Sequence, residues 1–267
     1  MKIVWSSVLY NPEREFFENF YHIVNGNHNL ITAIYDNSEK STLKQDFIDK
    51  IDFISSNEEN KGLGEALNTI GQFAFSVGAE WLVYFDQDSF FNADSVNDIT
   101  SFLREDVTTK DQRIASISFR SSALKQGDNK SCVKNVIMPQ GSAIAFRVGA
   151  LKNIGYHDKT IFLDCLDYFF DLKVRNAGYY QISFNCVRGV DHLKLQPSQS
   201  LSFFGKKLRL FLLRNYSHKR RKTTLALSFK LLIKSIIKKD LVFSLFVIRF
   251  IFVYIILQGI AILRRKT

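Results

Sequence analysis

Asp86 and Asp88 stand one residue apart, at the end of the run Glu80-Trp81-Leu82-Val83-Tyr84-Phe85-Asp86-Gln87-Asp88-Ser89. A carboxylate pair of this kind suits a hard divalent cation. Mg²⁺ typically takes one or two protein carboxylates and leaves its other positions to substrate phosphates and water. The apolar and aromatic residues before the pair read as a strand buried on both faces, because such a strand shows a continuous run instead of an alternation. In an open α/β sheet ligands sit beyond the carboxyl ends of the strands, where this pair would fall. Taken alone, the triplet fits a plainer role equally well, since Asp is a common turn and helix-cap residue.

The surrounding elements must decide. Ile3 to Leu9 reads as a first strand, and Asn11-Pro12 then supplies an N-cap and a first-turn proline. Phe16, Phe17, Phe20, Ile23 and Val24 follow at helical spacing. Leu30 to Tyr35 is a second strand, ending in Asp36-Asn37-Ser38, and Ile51 to Ser55 a short third. Asn60-Lys61-Gly62-Leu63-Gly64 opens a helix to about Val77, closed by Gly78. This β-α-β-α-β order predicts a mostly parallel sheet with right-handed crossovers, and puts Asp36, Asp86 and Asp88 on one edge of it. Leu67 occupies the place where a dinucleotide fingerprint needs its third glycine, so that motif fails. The glycines ease a tight turn into the helix, and the turn stays within reach of a ligand.

Further along, Ile114–Phe119, Val133–Met138 and Ala143–Phe146 read as strands, with Gln140-Gly141-Ser142 as a turn. Asp164 to Ala177 is helical, with Leu166, Phe169, Phe170 and Val174 on one face. Asp164, Asp167 and Asp171 share the opposite face, which fits either a solvated surface or a helix start facing a cleft. Tyr180–Phe184 and Val187–Val190 are late strands, ending in Asp191-His192.

In this order and spacing the residues resemble family 2 nucleotide-sugar glycosyltransferases of the GT-A fold, within them the bacterial rhamnosyltransferase-like branch. The resemblance covers roughly residues 3 to 215 and is carried by these pieces: Tyr10-Asn11-Pro12, Asp36-Asn37-Ser38, Asn60 to Asn68, Glu80 to Ser89, Gly141-Ser142, Phe162 to Asp167, Asp191-His192 and Arg214-Asn215. It implies that Asp36 meets the nucleotide base, that Asp88 lies nearest the cation, and that Asp86 lies toward the ribose. It implies Asp167 as the general base for the acceptor hydroxyl and His192 as a late ligand to the metal. Asn60, Gly62, Gly141 and Ser142 would line the donor or acceptor pocket. The glycine usual after the histidine segment is absent from His192-Leu193-Lys194-Leu195, which weakens the case for His192.

The 267 residues are enough for one large α/β domain and something smaller. Cys132, Cys165 and Cys186 are odd in number and scattered, which fits a reducing compartment and neither a disulfide framework nor a zinc site. Met1-Lys2-Ile3-Val4-Trp5 runs straight into a strand, without the apolar stretch of a signal peptide. The net charge of +10 is uneven: from Leu201 onward there are 16 Lys and Arg against one acid, leaving 20 against 25 elsewhere. A basic tail on an acidic body points to an anionic surface. Leu225 to Lys239 reads as a basic amphipathic helix, and Leu241 to Leu263 as 23 mostly apolar residues broken by Arg249 and Gln258. That length permits a span. The central Arg favours two helices lying in the membrane interface.

The expected protein is therefore α/β, a GT-A domain over 1–200 (Rossmann-like, mostly parallel, helices on both faces) with membrane-associated amphipathic helices over 201–267. The resemblance implies inverting transfer of a sugar, L-rhamnose from dTDP-rhamnose, to a lipid-linked glycan, which the basic apolar tail would place at the cytoplasmic face of a bacterial inner membrane. Mg²⁺ or Mn²⁺ would assist. A homo-oligomer stays open, and nucleic acid is not an expected partner, because a tail for it would not need so much Leu, Ile and Phe. The alternative is a non-catalytic, membrane-bound subunit that binds nucleotide sugar or glycan.

Overall fold

The computed structural model describes residues 1–26, 30–121, 132–139, 142–192, 200–203, 206–209 and 216–263. Gly141 and the Arg214-Asn215 pair lie outside them. The chain divides into two compact units, Met1–Leu193 and Lys194–Thr267.

The first unit opens with β1 (Ile3–Leu9), α1 (Arg14–Gly26), β2 (Ile31–Asp36), the short α2 (Gln45–Ile48), β3 (Phe53–Ser56), α3 (Leu63–Ser76) and β4 (Trp81–Asp86). After β5 (Ser89–Phe90) come α4 (Ala93–Glu105), a 3-10 turn, β6 (Ile114–Ser121), β7 (Val133–Val136) and β8 (Ile144–Arg147). The unit closes with α5 (Val148–Ile154), α6 (Leu166–Asn176), β9 (Tyr180–Val187) and β10 (Asp191–His192).

Eight strands form one sheet in the order β3-β2-β1-β4-β8-β6-β9-β7. β3, β2, β1 and β4 pair in parallel, and β6 pairs with β9 in parallel. β8 runs against both β4 and β6, and β7 against β9. The expected mostly parallel sheet is thus present with two reversed strands. The late segment is one continuous strand, Tyr180–Val187, where the sequence suggests two.

Alternation along the strands divides the helices. Trp5, Val83, Phe85, Ile117 and Phe119 face a core completed by Phe16 and Phe20 of α1, Phe47 of α2, and Val96, Ile99, Phe102 and Leu103 of α4. The opposite face, with Tyr84, Phe146 and Ser116, is covered by α3, α5 and α6. There His157 is buried, stacked on Phe170 at 4.3 Å between ring centroids. Burial first, and Lys173 second, lowers it to about 3, so it is a neutral core residue at working pH.

One cysteine expectation is overturned. Cys132 and Cys186 form a disulfide, with Cα atoms 5.5 Å apart, and Cys165 takes no part in one. The pair is 54 residues apart in sequence and is brought together by the β7–β9 pairing, a non-local register that spacing does not reveal.

The second unit contains the hairpin β11 (Ser200–Phe203) and β12 (Lys206–Arg209), then α7 (His218–Ile237) and α8 (Leu241–Leu263). α7 and α8 pack on each other, and Ser235 and Ser244 hydroxyls meet at 2.8 Å near their junction. Thr224, Ser228, Leu231 and Ser235 form a buried stripe on α7. Phe243, Val247, Ile251, Tyr254, Leu257 and Ala261 form one on α8. Leu241, Leu245, Phe252 and Ile255 of α8, and Phe229, Ile233 and Ile236 of α7, stand exposed. Residues Leu241–Ile262 are long and apolar enough to cross a membrane.

Candidate active site

β1, β2 and β4 end side by side. Their pairing sets Leu9 opposite Asp36 and Val8 opposite Asp86, so two of the sequence-predicted acids flank the end of one strand. Asp36 is fully buried. Its Oδ1 accepts from the Ser38 N–H at 2.9 Å and its Oδ2 from the Ser41 hydroxyl at 2.7 Å, so it shapes the loop after β2.

At the end of β4 the Tyr84 hydroxyl donates to Asp86 Oδ1 at 2.6 Å. The Asp86 N–H donates to Ser142 Oγ at 3.0 Å, and that hydroxyl lies 2.6 Å from Ser89 Oγ. Ser142 is 3% exposed, so the structure places it beneath the acid turn. The chain then turns through Gln87 and Asp88 into β5. β5 pairs antiparallel with β10, which puts the backbone of His192 opposite Ser89 and so next to Asp88.

Asp167 sits in the first turn of α6, entered through Cys165 in the left-handed region at φ 65°. A helix N-terminus favours a negative charge by ~0.3–1 kcal/mol, which would hold a carboxyl low. Burial outweighs that, and with the charge of Asp86 as the second cause it raises Asp167 to about 7. Tyr84 is raised well above its ordinary value by burial and then by Asp86, with Asp167 and Asp88 adding in the same direction. One phenol therefore feels all three carboxylates, the farthest of them 83 positions away in sequence.

One turn beyond Asp167, Asp171 is 1% exposed. It accepts from Gln181 Nε2 at 3.0 Å, and the same amide donates to Ser116 Oγ at 2.9 Å. Burial raises Asp171 well above the usual carboxylate range; Gln181 opposes this and Asp167 adds to it. Asp171 is thus turned inward, and a solvated surface is excluded for it.

The entry to α3 is a seat for α6. Gly62 has φ 84°, and a Cβ there would stand 2.7 Å from the Phe162 carbonyl oxygen. A Cβ at Gly64 would stand 2.6 Å from the Asp158 carbonyl oxygen. The Leu63 N–H donates to that Phe162 carbonyl at 2.7 Å. Asn60 Oδ1 accepts the Gly62 N–H at 3.0 Å and so closes the turn. Gly64→Ala is expected to displace the 158–162 segment and cost about 1–3 kcal/mol by overpacking. Denaturant unfolding measures that cost, and a fall in turnover of the folded fraction reports the shift of α6.

The rim loops are also tied to one another. Gln87 Oε1 accepts the Tyr10 N–H at 2.7 Å and its Nε2 donates to the Tyr10 carbonyl at 3.1 Å. The Asn11 N–H donates to Ser38 Oγ at 2.8 Å. Asn37 Nδ2 donates to the Gly62 carbonyl at 3.2 Å, and the Lys61 N–H to Asn37 Oδ1 at 3.1 Å. Gln87 and Asn37 stand inside the motifs read from the sequence, which give them no role of their own. The available signal for Gln87 is an amide set between two acids at a strand end.

Among the described residues, no group of three His, Cys, Asp or Glu side chains forms a metal cage. A cation completed by a diphosphate does not need one. The β5–β10 register brings the backbones of Asp88 and His192 together, a placement that fits such a shared site.

No protein-family model and no curated protein matches the sequence. Solved structures do resemble the fold. S. aureus TarS 1–349 in complex with UDP-GlcNAc matches with a TM-score of 0.60 at 14% identity, over 87% of this chain and 66% of that one. GalNAc-T7 with UDP, GalNAc and Mn²⁺ matches at 0.57 and 13% identity, over 72% of this chain and 44% of that one. A second structure of S. aureus TarS matches at 0.55 and 16% identity, over 74% of this chain and 37% of that one. The fold is GT-A. The GT-A neighbours are glycosyltransferases longer than this chain, which spans between about one third and two thirds of their lengths.

Proposed function

We propose that the chain is an inverting, metal-assisted glycosyltransferase of the family 2 type. The observation that carries this is the Tyr84–Asp86 hydrogen bond at the carboxyl edge of the sheet, with Asp88 two residues on and Asp167 near enough for the charge of Asp86 to raise it. Asp167, raised to about 7, takes the proton of an acceptor hydroxyl as that oxygen attacks the anomeric carbon of the donor. The bond from that carbon to the nucleoside diphosphate breaks in the same step, and the sugar inverts. Asp88 and His192 would hold a Mg²⁺ or Mn²⁺ ion, which supplies Lewis-acid stabilisation of the leaving diphosphate. Asp86, Asp36, Asn60, Gly62, Gly141 and Ser142 would shape the donor pocket.

The proposed donor is dTDP-L-rhamnose and the acceptor a lipid-linked glycan, on the strength of the sequence resemblance. TarS bound to UDP-GlcNAc and GalNAc-T7 bound to UDP and Mn²⁺ support a nucleotide-sugar donor and a divalent cation. A donor-hydrolysis panel with Mg²⁺, Mn²⁺ and chelator tests the reading. Turnover of one nucleotide sugar names the donor. Nucleotide binding without turnover of any donor favours a non-catalytic binding subunit.

The proposed location is the cytoplasmic face of a bacterial inner membrane, with α7 and α8 lying in the interface. α7 exposes Lys230 and Lys234 beside its apolar residues and Lys238 at its C-cap, and α8 exposes Arg249 near its middle. Each such cation at the centre of a bilayer costs ~2.5–3.5 kcal/mol, whereas in the interface it meets anionic head groups. With protein added to preformed phosphatidylglycerol vesicles, external protease should remove a C-terminal tag. Protection of the tag would show a span. The Cys132–Cys186 disulfide speaks for an oxidising compartment instead, and alkylation of thiols before cell lysis decides between the two.

A further inference from the structure

We propose that Gln87 is a positioning residue: its side-chain amide locks Tyr10 to the acid turn and so sets the width of the nucleotide end of the site. The proposal rests on the transferase reading above. β1 and β4 pair in parallel as far as Val8 and Asp86. Past that point the β4 backbone turns toward β5, which frees Asp88 but ends the ladder beside β1. The Gln87 amide takes over there. It accepts the Tyr10 N–H at 2.7 Å and donates to the Tyr10 carbonyl at 3.1 Å, both ordinary hydrogen-bond lengths. One side chain thereby satisfies both polar groups of one backbone residue.

Few residues can replace it. Glu offers no donor and would set an oxygen against the Tyr10 carbonyl. Asn carries the right group on a stem one methylene shorter. Met has the length and neither polar group.

Beyond Tyr10 the chain is held again, by the Asn11 N–H on Ser38 Oγ at 2.8 Å. Asn11 itself has φ 46°, a left-handed conformation that Asn tolerates better than most residues. Tyr10 is therefore fixed on both sides, and its side chain is left exposed between the strand ends that carry Asp36 and Asp86. A ring so placed forms a lip of the site, and its distance from the two acids is set by the Gln87 amide.

The experiment measures binding of UDP and of dTDP, each with Mn²⁺, by calorimetry. The proteins are the wild type, Gln87→Met, Tyr10→Ala and the double variant. Released from its two hydrogen bonds, Tyr10 shifts, and Gln87→Met is expected to raise Kd about tenfold while lowering the thermal melt modestly, since two intramolecular hydrogen bonds are lost. In the Tyr10→Ala background the Gln87→Met change should cost nothing more, because the lip that it positions is gone. Gln87→Asn should behave as Gln87→Met does, and it carries the same test if the Met variant fails to fold. Wild-type affinity in Gln87→Met or Gln87→Asn would overturn the proposal. So would costs that simply add in the double variant, since Gln87 would then act independently of Tyr10. A wild-type protein that binds neither nucleotide overturns the transferase reading itself, and the role of Gln87 falls with it.

Discussion

Asp167→Asn should transfer sugar about a hundredfold to ten-thousandfold more slowly than wild type, the usual worth of a positioned general base. Nucleotide binding should persist, because the acid turn at Asp86 and Asp88 is built by Tyr84, Ser142 and Ser89 and does not use Asp167. The pH profile supplies the second mark. The base works deprotonated, so wild-type kcat/KM should rise with pH through about 7, where burial and Asp86 have placed the carboxyl. The Asn variant should lack that limb. Stability carries the opposite sign. A carboxyl raised in the folded state costs the fold nothing below its unfolded pKa near 4. The cost accrues as pH rises through about 7. Asp167→Asn should therefore melt with wild type in acid and above it at alkaline pH, a gain in stability joined to a loss of turnover.

Asp88→Ala should remove the metal stimulation of turnover, a loss of about a hundredfold or more if the cation supplies several kcal/mol to the departing diphosphate. Chelator should bring the wild type down to the level of the variant and leave the variant unchanged. Asp88 is only partly buried, in the turn between β4 and β5, so the fold should survive the change. Wild-type turnover in Asp88→Ala, with or without chelator, would remove the metal assignment while leaving the case for Asp167 intact.

Much of the sheet was legible because its strands carry their own signal. The run Trp81 to Phe85 is buried on both faces in the structure, as its unbroken apolar character predicts. Helices with one apolar face were legible for the same reason, and α8 coincides with the apolar stretch read from Leu241 to Leu263. α4 passed unread, although Asn92 and Ser95 form a capping box and Val96, Ile99, Phe102 and Leu103 repeat at helical spacing. Its polar residues masked that period. The reversed direction of β8 and the pairing of Cys132 with Cys186 depend on which strands become neighbours, a global property that no local window contains. The acids at the strand ends could be read from their position. The inward turn of Asp171 could not, because the partner that receives it, Gln181, lies on another element.

The hydrogen bonds that run from Gln87 through Tyr10, Asn11, Ser38, Asn37, Gly62 and Leu63 to Phe162 have a bearing on how such a site diversifies. No loop in that series can be exchanged by itself, since each is anchored on the side chain or backbone of the next. Grafting a foreign β2 loop to alter base preference would strand Gly62 and, behind it, the start of α6. The transplantable module is the whole rim, and on the proposed reading donor preference and the placement of Asp167 are inherited together.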